Sequence, residues 1–399
     1  MPDYVGGNRI SLLRNGEQYF PALVAAIDAA SSEIYLETYI YADDQTGSLI
    51  ADALARAAAR GVATHLLIDG FGGREFPARL RNKLIEAGVE LLVFRPQISP
   101  WPFWKQKSRL RRMHRKLASI DGALAFVGGI NIIDDYHAEA PTQPQFDYAV
   151  RVEGPLTARV REIAAGLWSR VAWATDGTRP ARWRGLARLS WRAARRATPP
   201  AESDPKGQRA AMVLRDSLRH RSDIEDAYIE HIDGAQSEIF IANAYFFPGR
   251  RFRRALTKAA RRGVRVTLFM QGLAEFAMLY YASWALYEPL LQAGVSIREY
   301  QLSVMHAKVA VFDRRVACVG SSNIDPLSLM MAREANVFVD DAVFAERLRA
   351  DLQEAIDRGS TAVEVRSWTH LPLWQRLRVW LCYRCARLLL TFYGYDRMR

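Results

Sequence analysis

Two histidine–lysine pairs recur in the sequence with the same spacing. His114 and Lys116 open the stretch HRKLASIDGALAFVGGIN, and His306 and Lys308 open the stretch HAKVAVFDRRVACVGSSN. The positions common to both stretches are His114, Lys116, Asp121, Gly128 and Asn131 in the first, and His306, Lys308, Asp313, Gly320 and Asn323 in the second. Residues two apart in a strand point to the same face, so each histidine is predicted to share a face with its lysine.

The residue types in this pattern suit chemistry at a phosphate. Two imidazoles, two ammonium groups and the amides of Asn131 and Asn323 would together bind a tetrahedral anion and stabilise charge that develops on its oxygens. An imidazole titrates near neutral pH and can therefore act as nucleophile or as general acid and base. The pattern has no ligand set typical of a metal site, so we expect neither a metal nor a cofactor.

The sequence around the two stretches is also duplicated, and it predicts alternating strands and helices. An Ala/Arg-rich segment ends at a glycine in each half, a strand follows, and a second helix again ends at a glycine. The matching features are Gly61, Val62–Asp69 and Gly88 in the first half, and Gly263, Val264–Gln271 and Gly294 in the second. This alternation is typical of an α/β fold. We expect two mostly parallel sheets flanked by helices, packed about a pseudo-twofold axis with the active site between them.

Four regions follow from this pattern. We predict a first repeat over residues 1–176, a basic Trp/Arg segment with a linker over 177–210, a second repeat over 211–365, and a basic aromatic C-terminal segment over 366–399. A chain of 399 residues is long enough to give each repeat its own core.

Composition narrows the class of partner. The formal net charge of +12 favours anions such as nucleic acid, anionic lipid or a phosphorylated substrate. The three cysteines give no disulfide framework, and the lone Cys382-x-x-Cys385 pair favours packing over zinc. The N-terminus lacks the form of a signal peptide, and no uncharged apolar run has the length of a membrane span. We therefore expect a soluble or surface-attached protein.

Aromatic and basic residues are mixed in three stretches, over residues 98–113, 179–196 and 371–395. Such mixtures suit a membrane interface or a nucleic-acid surface. The alternatives are a loop packed on the protein's own edge for the first, a solvated basic helix for the second, and a helix docked on the protein for the third. Because all three share the same composition, we favour an anionic membrane surface.

The duplicated pattern resembles the phospholipase D superfamily, whose motif is HxK(x)4D followed by a glycine turn and an asparagine. Both copies match it in full. The chain is similar in particular to bacterial cardiolipin synthases of the short type, which lack N-terminal transmembrane helices. The stretches that carry this similarity are GNRISLLRNGEQYFPALVAAIDAA, ETYIYADDQTG and GSSNIDPLSLMMAREANV.

The resemblance implies a role for each residue of the pattern. His114 would be the nucleophile that forms a phosphohistidine and His306 the general acid and base, although the near-symmetry allows the reverse order. The residues implied to bind phosphate are Lys116, Asn131, Lys308 and Asn323, and those implied to orient the histidines are Asp147 and Glu334. Asp121 and Asp313 complete the catalytic motif, and we expect them to anchor the turn after each strand.

The implied reaction is transphosphatidylation, in which a phosphatidyl group moves to phosphatidylglycerol and gives cardiolipin plus a free alcohol. The donor, phosphatidylglycerol or phosphatidylethanolamine, stays open. The implied location is the cytoplasmic face of the inner membrane, with peripheral attachment and no nucleic-acid partner. The alternatives are a phospholipid hydrolase, a phosphatidylserine synthase, a nuclease of the same superfamily, or a non-enzymatic membrane scaffold.

Overall fold

The computed structural model describes residues 2–96, 111–136, 143–175, 204, 206–216, 219–273, 277–325, 332–364 and 372–392. The strands are β1 (Val5–Arg14), β2 (Glu33–Thr38), β3 (Ala63–Asp69), β4 (Glu90–Phe94), β5 (Arg112–Met113), β6 (Lys116–Ile120), β7 (Leu124–Gly128), β8 (Tyr148–Glu153), β9 (Gln208–Arg215), β10 (Glu238–Asn243), β11 (Arg265–Gln271), β12 (Ser296–Tyr300), β13 (Lys308–Phe312), β14 (Val316–Gly320), β15 (Ala332–Asp340) and β16 (Ser360–Ala362). The helices are α1 (Asn15–Ala29), α2 (Gln45–Ala59), α3 (Ala78–Glu86), α4 (Leu156–Thr175), α5 (Asp223–Gly234), α6 (Arg250–Arg261), α7 (Ala277–Trp284), α8 (Tyr287–Gln292), α9 (Ala342–Gly359) and α10 (Leu373–Phe392).

The chain divides into two compact units. The described residues within Asp3–His137 and Ala149–Met212 form one, called here the His114 unit. Those within Ala138–Tyr148 and Val213–Arg399, with residue 2, form the other, called the His306 unit. The segment that contains Asp147 therefore belongs to the His306 unit, although it lies in the first half of the sequence. The four regions predicted from the sequence stay a prediction.

The His114 unit contains a mixed sheet with the strand order β9-β1-β8-β7-β6-β2-β3-β4. Strands β2, β3 and β4 run parallel, while β6, β7 and β8 pair antiparallel in turn. Apolar side chains of the central strands are fully buried among those of α1 and α2, for example Ile34 and Leu66 against Leu23 and Leu54. This core holds β6, and hence the start of the His114 stretch, in a fixed position.

The His306 unit repeats this arrangement with the order β16-β12-β11-β10-β13-β14-β15. Strands β10, β11 and β12 run parallel. Strand β13, which follows His306, pairs antiparallel with β10 on one side and with β14 on the other. The predicted α/β repeats are therefore present, each with its His stretch leading into a central strand.

The sheets differ from the mostly parallel arrangement that strand–helix alternation predicted, because only three strands of each are parallel. The reason lies in the turn after each His strand. Asp121 and Gly122 both have positive φ, as do Asp313 and Arg314, and the next residue donates its N–H back across the turn. Two central residues with positive φ form the tight turn that joins antiparallel strands, so β6 and β13 return as hairpins rather than crossing over.

The predicted helix ends agree with the structure. Gly61 and Gly263 follow α2 and α6 with φ near +90°, the left-handed conformation that glycine adopts without steric cost. The strands predicted after them begin one residue later than expected, as β3 and β11.

Most of the first aromatic-basic stretch and all of the second lie outside the described residues. The third includes α10, which packs through Ala386 against Phe247, Ala282 and Leu286 of the His306 unit, with Cys382 at the edge of this cluster. The packing expected for the cysteine pair is therefore present for Cys382, whereas Cys385 is exposed. No helix in the described part of the chain combines the length and apolarity that a membrane span requires.

Candidate active site

His306 is held by a hydrogen bond to a buried carboxylate. Its Nδ1 lies 2.7 Å from Oδ2 of Asp147, and the two side chains are 14% and 4% exposed. The other carboxylate oxygen, Oδ1, accepts the N–H of Tyr148 at 2.8 Å. A carboxylate that accepts Nδ1–H fixes the ring orientation and leaves Nε2 to accept or donate the proton used in chemistry.

Backbone pairing brings Asp147 to His306. Phe146 donates its N–H to the carbonyl of Val304 at 2.9 Å, and His306 donates its N–H to the carbonyl of Phe146 at 2.8 Å. These two bonds form a short parallel bridge between Phe146 and Met305. The carboxylate therefore reaches the histidine through main-chain geometry that a substitution of Asp147 would leave in place.

Lys308 begins β13 two residues after His306 and is fully buried. Its ammonium group donates to the carbonyl oxygen of His306. On the neighbouring strand Asn243 is its register partner, and the Nδ2 of Asn243 is buried without a hydrogen-bond partner among the described residues. The Oδ1 of Asn323 is also buried without a hydrogen-bond partner among the described residues. Unsatisfied buried amides are rare in proteins and are often explained by a ligand or ordered water.

The His114 unit repeats the histidine–lysine geometry. Lys116 is 3% exposed and donates from Nζ to the carbonyl of His114 at 2.8 Å. Tyr39 packs edge-on against the His114 ring with centroids 4.8 Å apart, and the Lys116 ammonium lies 5.4 Å from the Tyr39 ring centre. Asn131 accepts the N–H of Ile40 at 3.2 Å. Tyr39 was not predicted as a site residue, and its only sequence signal was its place in ETYIY.

The residue between His114 and Lys116 is paired with a buried carboxylate. Arg115 forms a bidentate ion pair with Glu37, with both N···O distances 2.8 Å. Both side chains are less than 5% exposed. The charge of Arg115 is thus neutralised, and its hydrogen bonds are made, by Glu37. Arg115 therefore has its own partner and is not counted with the catalytic residues His114 and Lys116.

The residue before each histidine is held by a side chain that was not predicted as part of the site. The buried Asp69, at the end of β3, accepts the N–H of Met113 at 2.8 Å and pairs with Arg112 at 2.8 Å. In the other unit Gln271, at the end of β11, accepts the N–H of Met305 through Oε1 at 3.1 Å. Both contacts fix the residue immediately before the histidine, one through a carboxylate and the other through a neutral amide.

Asp121 and Asp313 do not lie with the catalytic groups, which corrects their place in the predicted catalytic set. Asp121 follows the far end of β6, about 20 Å along an extended strand from His114. It accepts the backbone N–H groups of Ser31, Ser32 and Glu33. Burial alone would raise the pKa of Asp121, but these hydrogen bonds outweigh it and lower the pKa to about 2.

Asp313 occupies the same place in the second unit. It accepts the N–H groups of Gln236, Ser237 and Glu238, and they lower its pKa against the opposing effect of burial. Both aspartates thus anchor the turn after the His strand to the loop before the neighbouring strand, the structural role that we expected for them.

Glu334 is fully buried on β15 and accepts a hydrogen bond from the hydroxyl of Ser321 at 2.6 Å. Ser321 directly follows Gly320 of the second motif. The role predicted for Glu334, to orient a histidine, stays a prediction. Among the described residues, no three or more histidine, cysteine, aspartate or glutamate side chains are grouped so as to hold a metal ion.

These paired sites coincide with a known domain. The family model described as "Cardiolipin synthase, PLD-like domain" matches residues 23–168 and 228–356, one match for each histidine–lysine motif. The chain belongs to this cardiolipin synthase, phospholipase D-like family. It is 38% identical to cardiolipin synthase B of Escherichia coli (strain K12) over 371 residues, which are 92% of this chain and 86% of that protein.

A more distant sequence relative agrees with the family assignment, and a solved structure agrees with the fold. A protein of Bacillus subtilis (strain 168) described as a probable cardiolipin synthase is 30% identical over 348 residues, 87% of this chain and 66% of that one. Among solved structures, phosphatidylserine synthase of Haemophilus influenzae aligns with a TM-score of 0.67 and 14% identity over 98% of this chain and 95% of that chain. At this identity the structural match supports the fold alone.

Proposed function

We propose that the protein is a cardiolipin synthase that transfers a phosphatidyl group from a donor phospholipid to phosphatidylglycerol. The observation that carries the proposal is the His306–Asp147 pair at 2.7 Å, beside a buried lysine, in one of two matched histidine–lysine motifs. Such a pair equips an imidazole to move protons. Family membership and the similarity to cardiolipin synthase B supply the substrate class.

In the proposed first step both motifs serve one phosphodiester. Nε2 of His114 attacks phosphorus and forms a P–N bond, while the bond from phosphorus to the leaving oxygen breaks. Nε2 of His306 gives its proton to that oxygen, and the donor's headgroup leaves as an alcohol. The ammonium groups of Lys116 and Lys308 and the amides of Asn131 and Asn323 stabilise charge on the other phosphate oxygens.

In the proposed second step a hydroxyl of phosphatidylglycerol gives its proton to Nε2 of His306. Its oxygen then attacks phosphorus, the P–N bond breaks, and its electron pair returns to the ring of His114. The Asp147 carboxylate favours the positive charge that His306 carries before the first step and again after the second, and so supports its assignment as acid and base. Glu334 is proposed to orient the other histidine, as the family pattern implies. No nucleotide is consumed, because the P–N bond keeps the phosphodiester activated.

Mass spectrometry of lipid products tests this function. With phosphatidylglycerol in mixed micelles, we expect cardiolipin and glycerol to form without added nucleotide. Adding phosphatidylethanolamine with a labelled headgroup distinguishes the two possible donors. Release of labelled ethanolamine would show that phosphatidylethanolamine serves as a donor. Phosphatidic acid as the sole lipid product would instead indicate a hydrolase, and cleavage of DNA without lipid turnover would indicate a nuclease.

We further propose that α10 attaches the protein to the anionic cytoplasmic face of the inner membrane. Ala386 and Val379 are buried, while Trp374, Leu377, Leu381 and Leu388 are 48–63% exposed and fall on the opposite side of the helix. Arginines flank this face, with Arg378 stacked on Tyr281 at 3.8 Å and Arg384 against Trp380 at 5.5 Å. An apolar face bordered by arginine and tryptophan suits the headgroup region of anionic lipid.

Substitution of this face is expected to weaken membrane binding. Replacing Leu377, Leu381 and Leu388 together by serine removes three side chains that are half-exposed in solution, and should lower affinity for phosphatidylglycerol-containing vesicles at least tenfold. Vesicle flotation measures the change. The matched control replaces Leu49, Ile85 and Val343, three exposed aliphatic residues elsewhere. Equal flotation of the two variants would contradict this role for α10.

A further inference from the structure

Tyr39 lies against both members of the first histidine–lysine motif. It directly follows β2, which pairs with β6, the strand that begins at Lys116. Its ring meets the ring of His114 at an angle of 64°, with the centroids 4.8 Å apart. The ammonium group of Lys116 lies 5.4 Å from the centre of the same ring. One aromatic side chain therefore packs on the proposed nucleophile and on the lysine that accompanies it.

The loop after β3 is shaped around the ring of Tyr39. At Gly72 an added Cβ would lie 2.5 Å from the carbonyl oxygen of Tyr39 and 2.8 Å from two carbons of its ring. Non-bonded carbon atoms do not approach so closely, so the ring needs glycine at this position. The buried Asp69 accepts the N–H of Gly72 at 3.2 Å and the N–H of Met113, the residue before His114, at 2.8 Å. One carboxylate thus fixes both the loop behind the ring and the approach to the histidine in front of it.

The second repeat has an alanine in place of this tyrosine. Ala244 is the first residue after β10, as Tyr39 is the first after β2. A methyl group cannot fix the angle of a neighbouring ring, and His306 is instead held through Nδ1 by the carboxylate of Asp147. The two histidines therefore have different neighbours, which fits the different tasks proposed for them.

The contacts of Tyr39 restrict the motion of the His114 ring. Aromatic pairs at this distance favour an edge-to-face arrangement, which opposes rotation of either ring. The ammonium of Lys116 near the ring adds a cation–π attraction that holds the tyrosine in the same place. Attack on phosphorus requires Nε2 of His114 to be aimed at it, and a misplacement of about 1 Å can cost about 10²-fold in rate.

We propose that Tyr39 is a positioning residue that holds the His114 ring for attack on phosphorus, and that its aromatic ring rather than its hydroxyl does so. The inference rests on the proposed function and deepens it by naming what prepares the nucleophile. It assigns the preparation to the His114 unit alone, through a side chain outside the histidine–lysine motif. The effect of removing the ring should therefore fall on the first step of the reaction.

Release of p-nitrophenolate from phosphatidyl-p-nitrophenol isolates that step. This leaving group departs without a proton, so His306→Ala can serve as the parent enzyme. Nε2 of His114 attacks phosphorus, the bond to the leaving oxygen breaks with its electron pair, and the phosphatidyl group stays on the enzyme. In mixed micelles we expect a burst of about one equivalent. The amplitude counts folded sites, so the rate of the burst is independent of the folded fraction.

Two substitutions at position 39 are compared in this parent. Tyr39→Ala should lower the burst rate at saturating substrate about 10- to 100-fold, because the histidine ring is no longer held. The substrate concentration that gives half the maximal rate should change by less than about threefold, because the lysine still binds the phosphate. Tyr39→Phe keeps the ring and should keep the burst rate within about threefold of the parent.

A control and two contrary results make the experiment decisive. Trp173→Ala removes another aromatic side chain of the His114 unit, one that is 74% exposed on α4, and should keep the parent rate. A parent rate for Tyr39→Ala would overturn the proposal. So would a Tyr39→Phe variant as slow as Tyr39→Ala, because the hydroxyl would then carry the effect. Absence of any burst from the parent would instead overturn the proposed function, because no phosphohistidine would form.

Discussion

Alanine in place of either His114 or His306 is expected to lower cardiolipin formation at least about 10³-fold. Without the nucleophile no P–N bond can form. Without the acid and base, the leaving oxygen departs unprotonated and the acceptor hydroxyl is not activated. The two losses should not add, because both histidines serve one reaction sequence. The double variant is therefore expected to be about as inactive as either single variant.

Single-turnover labelling separates the two roles. With an acyl-labelled donor, label should stay on the denatured protein for His306→Ala, which keeps the nucleophile, and be absent for His114→Ala. The reverse distribution would exchange the two roles. His220→Ala is the matched control, because His220 also pairs through Nδ1 with a carboxylate, Asp223, at 2.6 Å. Activity that survives loss of both motif histidines would contradict the mechanism.

The elements of each repeat could be predicted because their signals are local. Glycines after α2 and α6 ended the helices, and β-rich apolar runs placed β3 and β11 to within one residue. The direction of the His strands was not predicted. Asp121-Gly122 between two apolar runs is a hairpin signal, but the second copy has Asp313-Arg314, which lacks the glycine. Strand–helix alternation then suggested more parallel pairing than the sheets contain.

The residues that carry the chemistry were readable because their types and spacing are duplicated. The residues that position these groups could not be predicted in the same way, because each acts through contacts that are distant in sequence. Asp147 was recognised as a carboxylate that orients a histidine, but only the fold brings it to His306, 159 residues away. Tyr39, Asp69 and Gln271 end or follow strands of the parallel part, where no repeated motif marks them. Their roles follow from which strand ends lie beside the histidine.

In the sequence, the difference between the repeats at this position appears only as Asp69 in the first and Gln271 in the second. Asp69 and Gln271 hold the same backbone position before a histidine, yet one is paired with Arg112 and the other is not. Sequence symmetry predicts two equivalent half-sites. The structure shows that each unit completes the common motif with different polar groups, which permits the two histidines to have different tasks.

Substitution of Asp147 by asparagine is expected to lower cardiolipin formation about 10²- to 10⁴-fold. The amide keeps an oxygen for the N–H of Tyr148, so the segment and the bridge from Phe146 to Met305 should hold. What changes is the partner of Nδ1. A neutral amide stabilises the charged ring less than a carboxylate does. It can also turn its NH₂ group towards Nδ1, which would favour the wrong tautomer for Nε2.

The pH profile distinguishes this positioning role from a merely structural one. Because His306 must be charged in the first step and neutral before the second, weaker stabilisation of its charge should move both limbs of the rate profile of Asp147→Asn towards lower pH. The thermal midpoint should change by only a few degrees, since the backbone bridge remains. Asp223→Asn, which alters the exposed pair with His220, should change neither rate nor profile. If Asp147→Asn had the wild-type rate and pH profile, Asp147 would have no part in proton transfer by His306.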